Sequence, residues 1–136
     1  QASAESQSSD PVVNLVEREQ FGKNIVKYRL HDEAGIDFGY FQLNYTPGFR
    51  GGPDTVIVDG VHILDTEHFG QGYGEAAYKQ VPSLQPPDGL QPGEYHFEAS
   101  NQLSDSARRL WERLVDQGLA VATDDGYEYL ETITIE

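Results

Sequence analysis

Polar and apolar residues change rhythm along this chain, and each change marks an element. Residues 1–10, Gln-Ala-Ser-Ala-Glu-Ser-Gln-Ser-Ser-Asp, carry nothing to bury, so a flexible tail over 1–11 is expected, followed by a single domain over 12–136. Val12, Val13, Leu15 and Val16 predict a first strand in 12–17. Over 24–30, Ile25, Lys27 and Arg29 alternate with Val26, Tyr28 and Leu30, the period of a half-buried strand. Asp32-Glu33-Ala34-Gly35 is turn chemistry, and 36–45, with Phe38, Tyr40, Phe41, Leu43 and Tyr45, is rich in β-formers, which predicts an antiparallel hairpin with the strand before it.

Two prolines and three glycines make 46–54 a loop. The β pattern then returns over 55–64, where Asp59-Gly60 signals either a bulge or a break into two short strands. A first helix is predicted over 73–81, stopping before Pro82. A second irregular loop spans 82–93, and a strand over 94–99 places Tyr95 and Phe97 opposite His96. Leu103, Ala107, Leu110, Trp111, Leu114 and Gly118 fall on one helical stripe, with Ser104 as N-cap and Gly118 as stop. Beyond it, 119–123 and 127–135 flank the turn signal Asp124-Asp125-Gly126, which predicts a hairpin. The expected fold is therefore α/β in the broad sense: an α+β mixed, mostly antiparallel sheet with flanking helices.

Composition narrows the function classes. The 136 residues contain no cysteine, which excludes disulfides, thiolate metal sites and a cysteine nucleophile. Nine basic residues against 23 acidic ones give a formal charge of −14, which repels nucleic acid and anionic lipid and favours cationic partners. Solubility or a salt-adapted surface explains the same acidity without a binding role. No apolar run approaches the roughly 20 residues of a membrane span, and the first residues lack the basic and apolar regions of a signal peptide. A cytoplasmic protein with no membrane partner is the expectation. The histidines 31, 62, 68 and 96 show no ligand spacing, so no metal site is expected.

Between the strand over 55–64 and the first helix stand three glycines at alternate positions, 70, 72 and 74. Strand, glycine loop and helix form a cradle for an anion, because glycine lets a phosphate approach the backbone and a helix start offers free N–H groups. Turns and bulges use glycine as well, so the loop alone is open to a structural reading. Phe69-Gly70-Gln71-Gly72-Tyr73-Gly74-Glu75-Ala76-Ala77 resembles the acyl-CoA loop of the Gcn5-related N-acetyltransferases, the GNAT superfamily, with its pattern Arg/Gln-x-x-Gly-x-Gly/Ala. Phe69 stands where that pattern has Arg or Gln. Residues 104–114, Ser-Asp-Ser-Ala-Arg-Arg-Leu-Trp-Glu-Arg-Leu, are similar to the family's Asn-x-x-Ala-x-x-Leu-Tyr segment, with Trp111 at the Tyr position. The resemblance covers about residues 24–130 and is to a small single-domain member.

The resemblance implies a GNAT-like sheet with splayed strands, and direct transfer of an acyl group from acetyl-CoA or another acyl-CoA to an amine. Leu64, Phe69, Gly70, Gln71, Gly72, Tyr73, Gly74 and Glu75 become the expected cofactor-binding residues. A general base must lie on the strand before the glycine loop or on the one after residue 93, which leaves Asp59, His62, Asp65 and Glu67 on the first and His96 and Glu98 on the second. Of these, His62, Glu67 and Asp59 are the leading catalytic candidates; an imidazole titrates near pH 6.5, within a base's working range. Indole N–H donates a hydrogen bond but is not a useful acid, so Trp111 reads as a core anchor and another tyrosine must serve the leaving thiolate. The acceptor is expected to be a small-molecule or peptide amine, cationic to suit the acidic surface, and a homodimer or larger assembly is compatible. Phe69 and Trp111 leave a second reading open, a GNAT-like binding or assembly protein without catalysis.

Overall fold

The computed structural model describes residues 11–48, 54–64, 72–100, 102–124 and 126–136. All but Pro11 of the expected tail, and Asp65, Glu67, Phe69, Gly70 and Gln71 of the glycine segment, lie outside these described residues. Eight strands, β1 (Asn14–Phe21), β2 (Ile25–His31), β3 (Asp37–Thr46), β4 (Asp54–Ile63), β5 (Gly93–Glu98), β6 (Ala120–Thr123), β7 (Gly126–Tyr129) and β8 (Ile133–Ile135), form one mixed sheet. Its order is β1-β2-β3-β4-β5-β7-β6, with β8 also on β5. Helices α1 (Tyr73–Tyr78) and α2 (Asp105–Asp116) and a short 3₁₀ turn, Val81–Ser83, complete the described elements. None of the described helices is long and apolar enough to cross a membrane.

The alternation on β2 and β3 sets the faces. Val26, Tyr28 and Leu30 pair across the ladder with Leu43, Phe41 and Gly39, and all are buried, while Lys27, Arg29, Tyr40 and Gln42 share the half-exposed opposite face. Tyr78 of α1 and Trp111 of α2 drop onto the buried face beside Phe97. Tyr78 meets Phe41, Phe97 and Trp111 at ring separations of 5.9, 5.8 and 5.7 Å, and Trp111 is 1% exposed. Trp111 is thus the core anchor its place on the stripe implies. Removing such a side chain costs about 3–5 kcal/mol.

The first strand starts later than expected and runs on through polar residues to Phe21, because the edge of β2 offers hydrogen bonds as far as Ile25. Glu17, with φ 54°, sits in a bulge that shifts the register between Val16 and Glu19, a feature suited to an edge strand. Helix α1 also departs from expectation. It ends at Tyr78, and Val81–Ser83 form a separate 3₁₀ turn, since Pro82 has no N–H to return to the Tyr78 carbonyl. The stretch over 127–135 is two strands, not one. The β6 partner ends with Ala120 opposite Tyr129, so the chain leaves β6 there and β8 pairs instead with Gly93–Tyr95 of β5.

Helix α2 is capped at both ends. The Ser104 hydroxyl accepts from the Ala107 N–H at 3.1 Å. Gly118, at φ 79°, closes the other end: the Leu119 N–H reaches the Leu114 carbonyl at 2.9 Å and the Gly118 N–H reaches that of Val115 at 3.0 Å. This is the paired hydrogen bonding of a Schellman stop.

Candidate functional site

One pairing shapes the site. β4 runs parallel to β5 only through Asp54–Ile57 opposite Tyr95–Glu98, and every other strand pair is antiparallel. At Asp59 the β3 register slips, with Gln42 opposite Gly60 but Leu43 opposite Val58, so Asp59 is the extra residue of a bulge. From Val58 onward, β4 keeps β3 on one edge and has no strand on the other among the described residues. A crevice of about 280 Å³ opens there, lined by Asp59, His62, Glu98, Tyr78 and Trp111 among others.

A larger cleft of about 580 Å³ adjoins it. Gly72, Tyr73, Gly74 and Glu75 form one wall, and Ser104, Ser106, Arg109 and Arg113 of α2 the other. Val61, Tyr78, Ser104 and Ala107 line both spaces, so the two form one bent groove. Its wide end is lined by Arg109, Arg113 and serine hydroxyls; its narrow end is lined by Asp59, His62 and Glu98 and by Tyr78, with the His62 ring on the Tyr40 face of the sheet and Tyr78 on the Phe41 face.

The two glycines of the wall differ in kind. Gly72 has φ 89°, a backbone that disfavours any side chain. Gly74 has no such constraint: among the described residues a Cβ there would meet only the Leu110 Cδ1, at 3.4 Å. Since glycine within a helix costs roughly 0.5–1 kcal/mol relative to alanine, the fold does not require it at 74.

Glu75 lines the cleft, yet its carboxylate is held by protein partners. Arg113 Nε and Gln117 Nε2 each donate to it at 2.7 Å, and Lys79 Nζ lies 3.4 Å away. Burial opposes its ionisation, but the hydrogen bonds from Arg113 and Gln117 and the charge of Lys79 outweigh that and hold it below the usual carboxylate range. Glu75 ties α1 to α2 and is not a free acceptor for a ligand.

His62 is exposed and its ring stacks on Tyr40, with centroids 4.6 Å apart, while Lys27 Nζ sits 4.3 Å from the centre of the Tyr40 ring. Gly39 allows the close approach, because a methyl group there would overlap the carbonyl oxygen of His62. Asp59 accepts from Gln42 Nε2 at 3.0 Å, which fixes the bulge. His96 lies elsewhere, its Nδ1 at 3.1 Å from Glu128 Oε2, and lines neither space. Leu64 is likewise not brought to the groove: its N–H donates to the Phe38 carbonyl at 2.8 Å and its side chain is exposed.

No family model and no curated protein matches this chain. Tyr78, Arg109 and Arg113 are among the groove residues that were not sequence candidates. Burial pushes the Tyr78 phenol well above its ordinary pKa, so it stays protonated as a hydrogen-bond donor beside Trp111. Arg109 and Arg113 lie off the apolar stripe of α2. Their spacing of four residues put them on one side of α2, but nothing local said what that side would face.

Proposed function

We propose that the chain is a GNAT-like acyl-CoA-dependent N-acyltransferase, with the acyl-CoA lying along the bent groove. The observation that carries this reading is the continuity of the two spaces. A cationic, hydroxyl-lined end beside Gly72 and Gly74 suits a phosphorylated handle, and the crevice between β4 and β5 suits a thioester at the end of a long arm. Beyond Ile57, where β5 ends at Glu98, one edge of β4 has no ladder partner among the described residues, so its N–H groups can polarise the thioester carbonyl.

The amine nitrogen attacks the thioester carbon, the carbon–sulfur bond breaks, and the acyl group leaves on nitrogen. His62 takes the amine's proton. Tyr78, protonated at any working pH, donates a hydrogen bond to the thiolate as it departs. A phenol weaker in acidity than the thiol stabilises the anion without giving up its proton, so solvent completes the protonation. Asp59 and Glu98 place negative charge beside the amine, which suits a cationic acceptor, small molecule or peptide. Glu67 and the rest of the glycine segment belong to this reading through the resemblance alone.

Titration calorimetry with acetyl-CoA tests it. Micromolar binding is expected, with Gly74→Glu abolishing it while the melting temperature stays within a few degrees; no heat at millimolar acetyl-CoA would end the proposal. Trp111 at the family's Tyr position favours a second reading, a GNAT-like binding or assembly protein. Acetyl-CoA bound tightly but never turned over across a panel of amines would select it.

A further inference from the structure

We propose that Arg109 and Arg113 form the anion-binding wall of the larger cleft and receive the phosphate groups of the ligand, supplying from α2 the polar contact that Phe69 does not supply from the glycine loop. The inference rests on the acyl-CoA reading for its ligand, but its physical basis is separate. Helix α1 has six residues, too few aligned peptide dipoles to hold a multiply charged anion unaided. The chain as a whole carries −14 and repels anions at long range. A phosphate site in such a protein needs local fixed cations, and two of the nine basic residues line this one cleft.

Their geometry fits the task. Residues four apart on a helix project to one side, and here that side faces Gly72, Tyr73 and Gly74 across the cleft. Arg113 donates through Nε to Glu75 at 2.7 Å, which fixes the plane of its guanidinium. Its side chain remains 51% exposed, so its terminal amino groups can meet a ligand as a fork. Glu75, itself held by Gln117 and Lys79, is therefore the positioning residue of Arg113. Ser104 and Ser106 add hydroxyl donors on the same wall.

Calorimetry on the full chain with three probes separates the possibilities: CoA, inorganic pyrophosphate, and pantetheine, which lacks phosphate. Arg109→Ala and Arg113→Ala are expected to weaken CoA and pyrophosphate at least tenfold each, and to leave pantetheine unchanged. Arg108→Ala serves as control, since Arg108 is exposed on α2 and does not line the cleft; it should bind like wild type. Arg109→Ala removes no hydrogen bond described within the protein, so it keeps the test informative if Arg113→Ala loosens the Glu75 network. Equal CoA affinity in wild type and both arginine variants overturns the anion wall and leaves the acyl-CoA reading standing. A loss in Arg108→Ala as large as in Arg109→Ala also overturns it, by showing a general charge effect. Arginine-dependent binding of pyrophosphate without binding of acetyl-CoA would uphold the wall and remove the transferase. Binding of no probe removes both.

Discussion

Tyr78 and Glu75 show how burial sets chemistry one side chain at a time. The Tyr78 hydroxyl is useful only as a donor, because desolvation penalises the phenolate. Tyr78→Phe keeps the ring that packs on Phe41, Phe97 and Trp111, so the fold should survive while kcat falls about 10- to 100-fold, the usual worth of a hydrogen bond to a charged group. Unchanged steady-state kinetics would remove Tyr78 from the reaction. Glu75 has a depressed folded-state pKa, so the stability it confers is present above its unfolded value of about 4.3 and is lost as pH falls through the lower folded value. Glu75→Gln is expected to cost about 1–3 kcal/mol at pH 7. The gap in urea midpoint between wild type and variant should stay constant from pH 6 to 8 and close below about pH 4.5. A gap that widens in acid contradicts the assignment.

At the scale of elements, α2 carries the groove's cationic wall and the strands carry its floor. Ser104 caps α2 and also lines both spaces, so Ser104→Ala should lower stability by about 1 kcal/mol and disturb ligand binding as well. Ser104→Asp, which keeps a capping oxygen but adds negative charge, should restore stability and not affinity; thermal melts read against calorimetry distinguish the two effects. Much at this level was legible in the residues. The alternation on β2 and β3, the Ser104 cap, the Gly118 stop and the turn before Tyr127 are local signals, and each marks what the structure contains. Asp59-Gly60 was legible as irregular, and the β3 register resolves it as a bulge. Helix α1 was read too long because Pro82 acts on the carbonyl four residues before it, shortening the helix to Tyr78 and leaving a separate turn.

For the whole molecule, charge is the controlling property. With −14 spread over 136 residues, the proposed transferase would draw in a cationic acceptor, and salt screens that attraction over a Debye length of about 8–10 Å at physiological ionic strength. The kcat/KM for a cationic amine should therefore fall several-fold between 20 and 300 mM salt, while that for a neutral-at-pH amine changes little. Matching slopes for both amines would show that the acidic surface plays no part in acceptor choice.

The chain's order of residues was enough to place most of the strands, the buried and open faces of β2 and β3, the ends of α2, the exclusion of cysteine chemistry and the sign of the molecular field. Each depends on neighbours a few residues apart or on simple sums. Which strands lie side by side depended on contacts between distant segments, and alternation names a face without naming a neighbour. Only the packed structure sets β4 parallel to β5 for four residues and lets it part from there, brings Tyr78 to Trp111, and stands Arg109 and Arg113 across from Gly72 and Gly74. The groove exists because those long-range choices coincide, which no local pattern can encode.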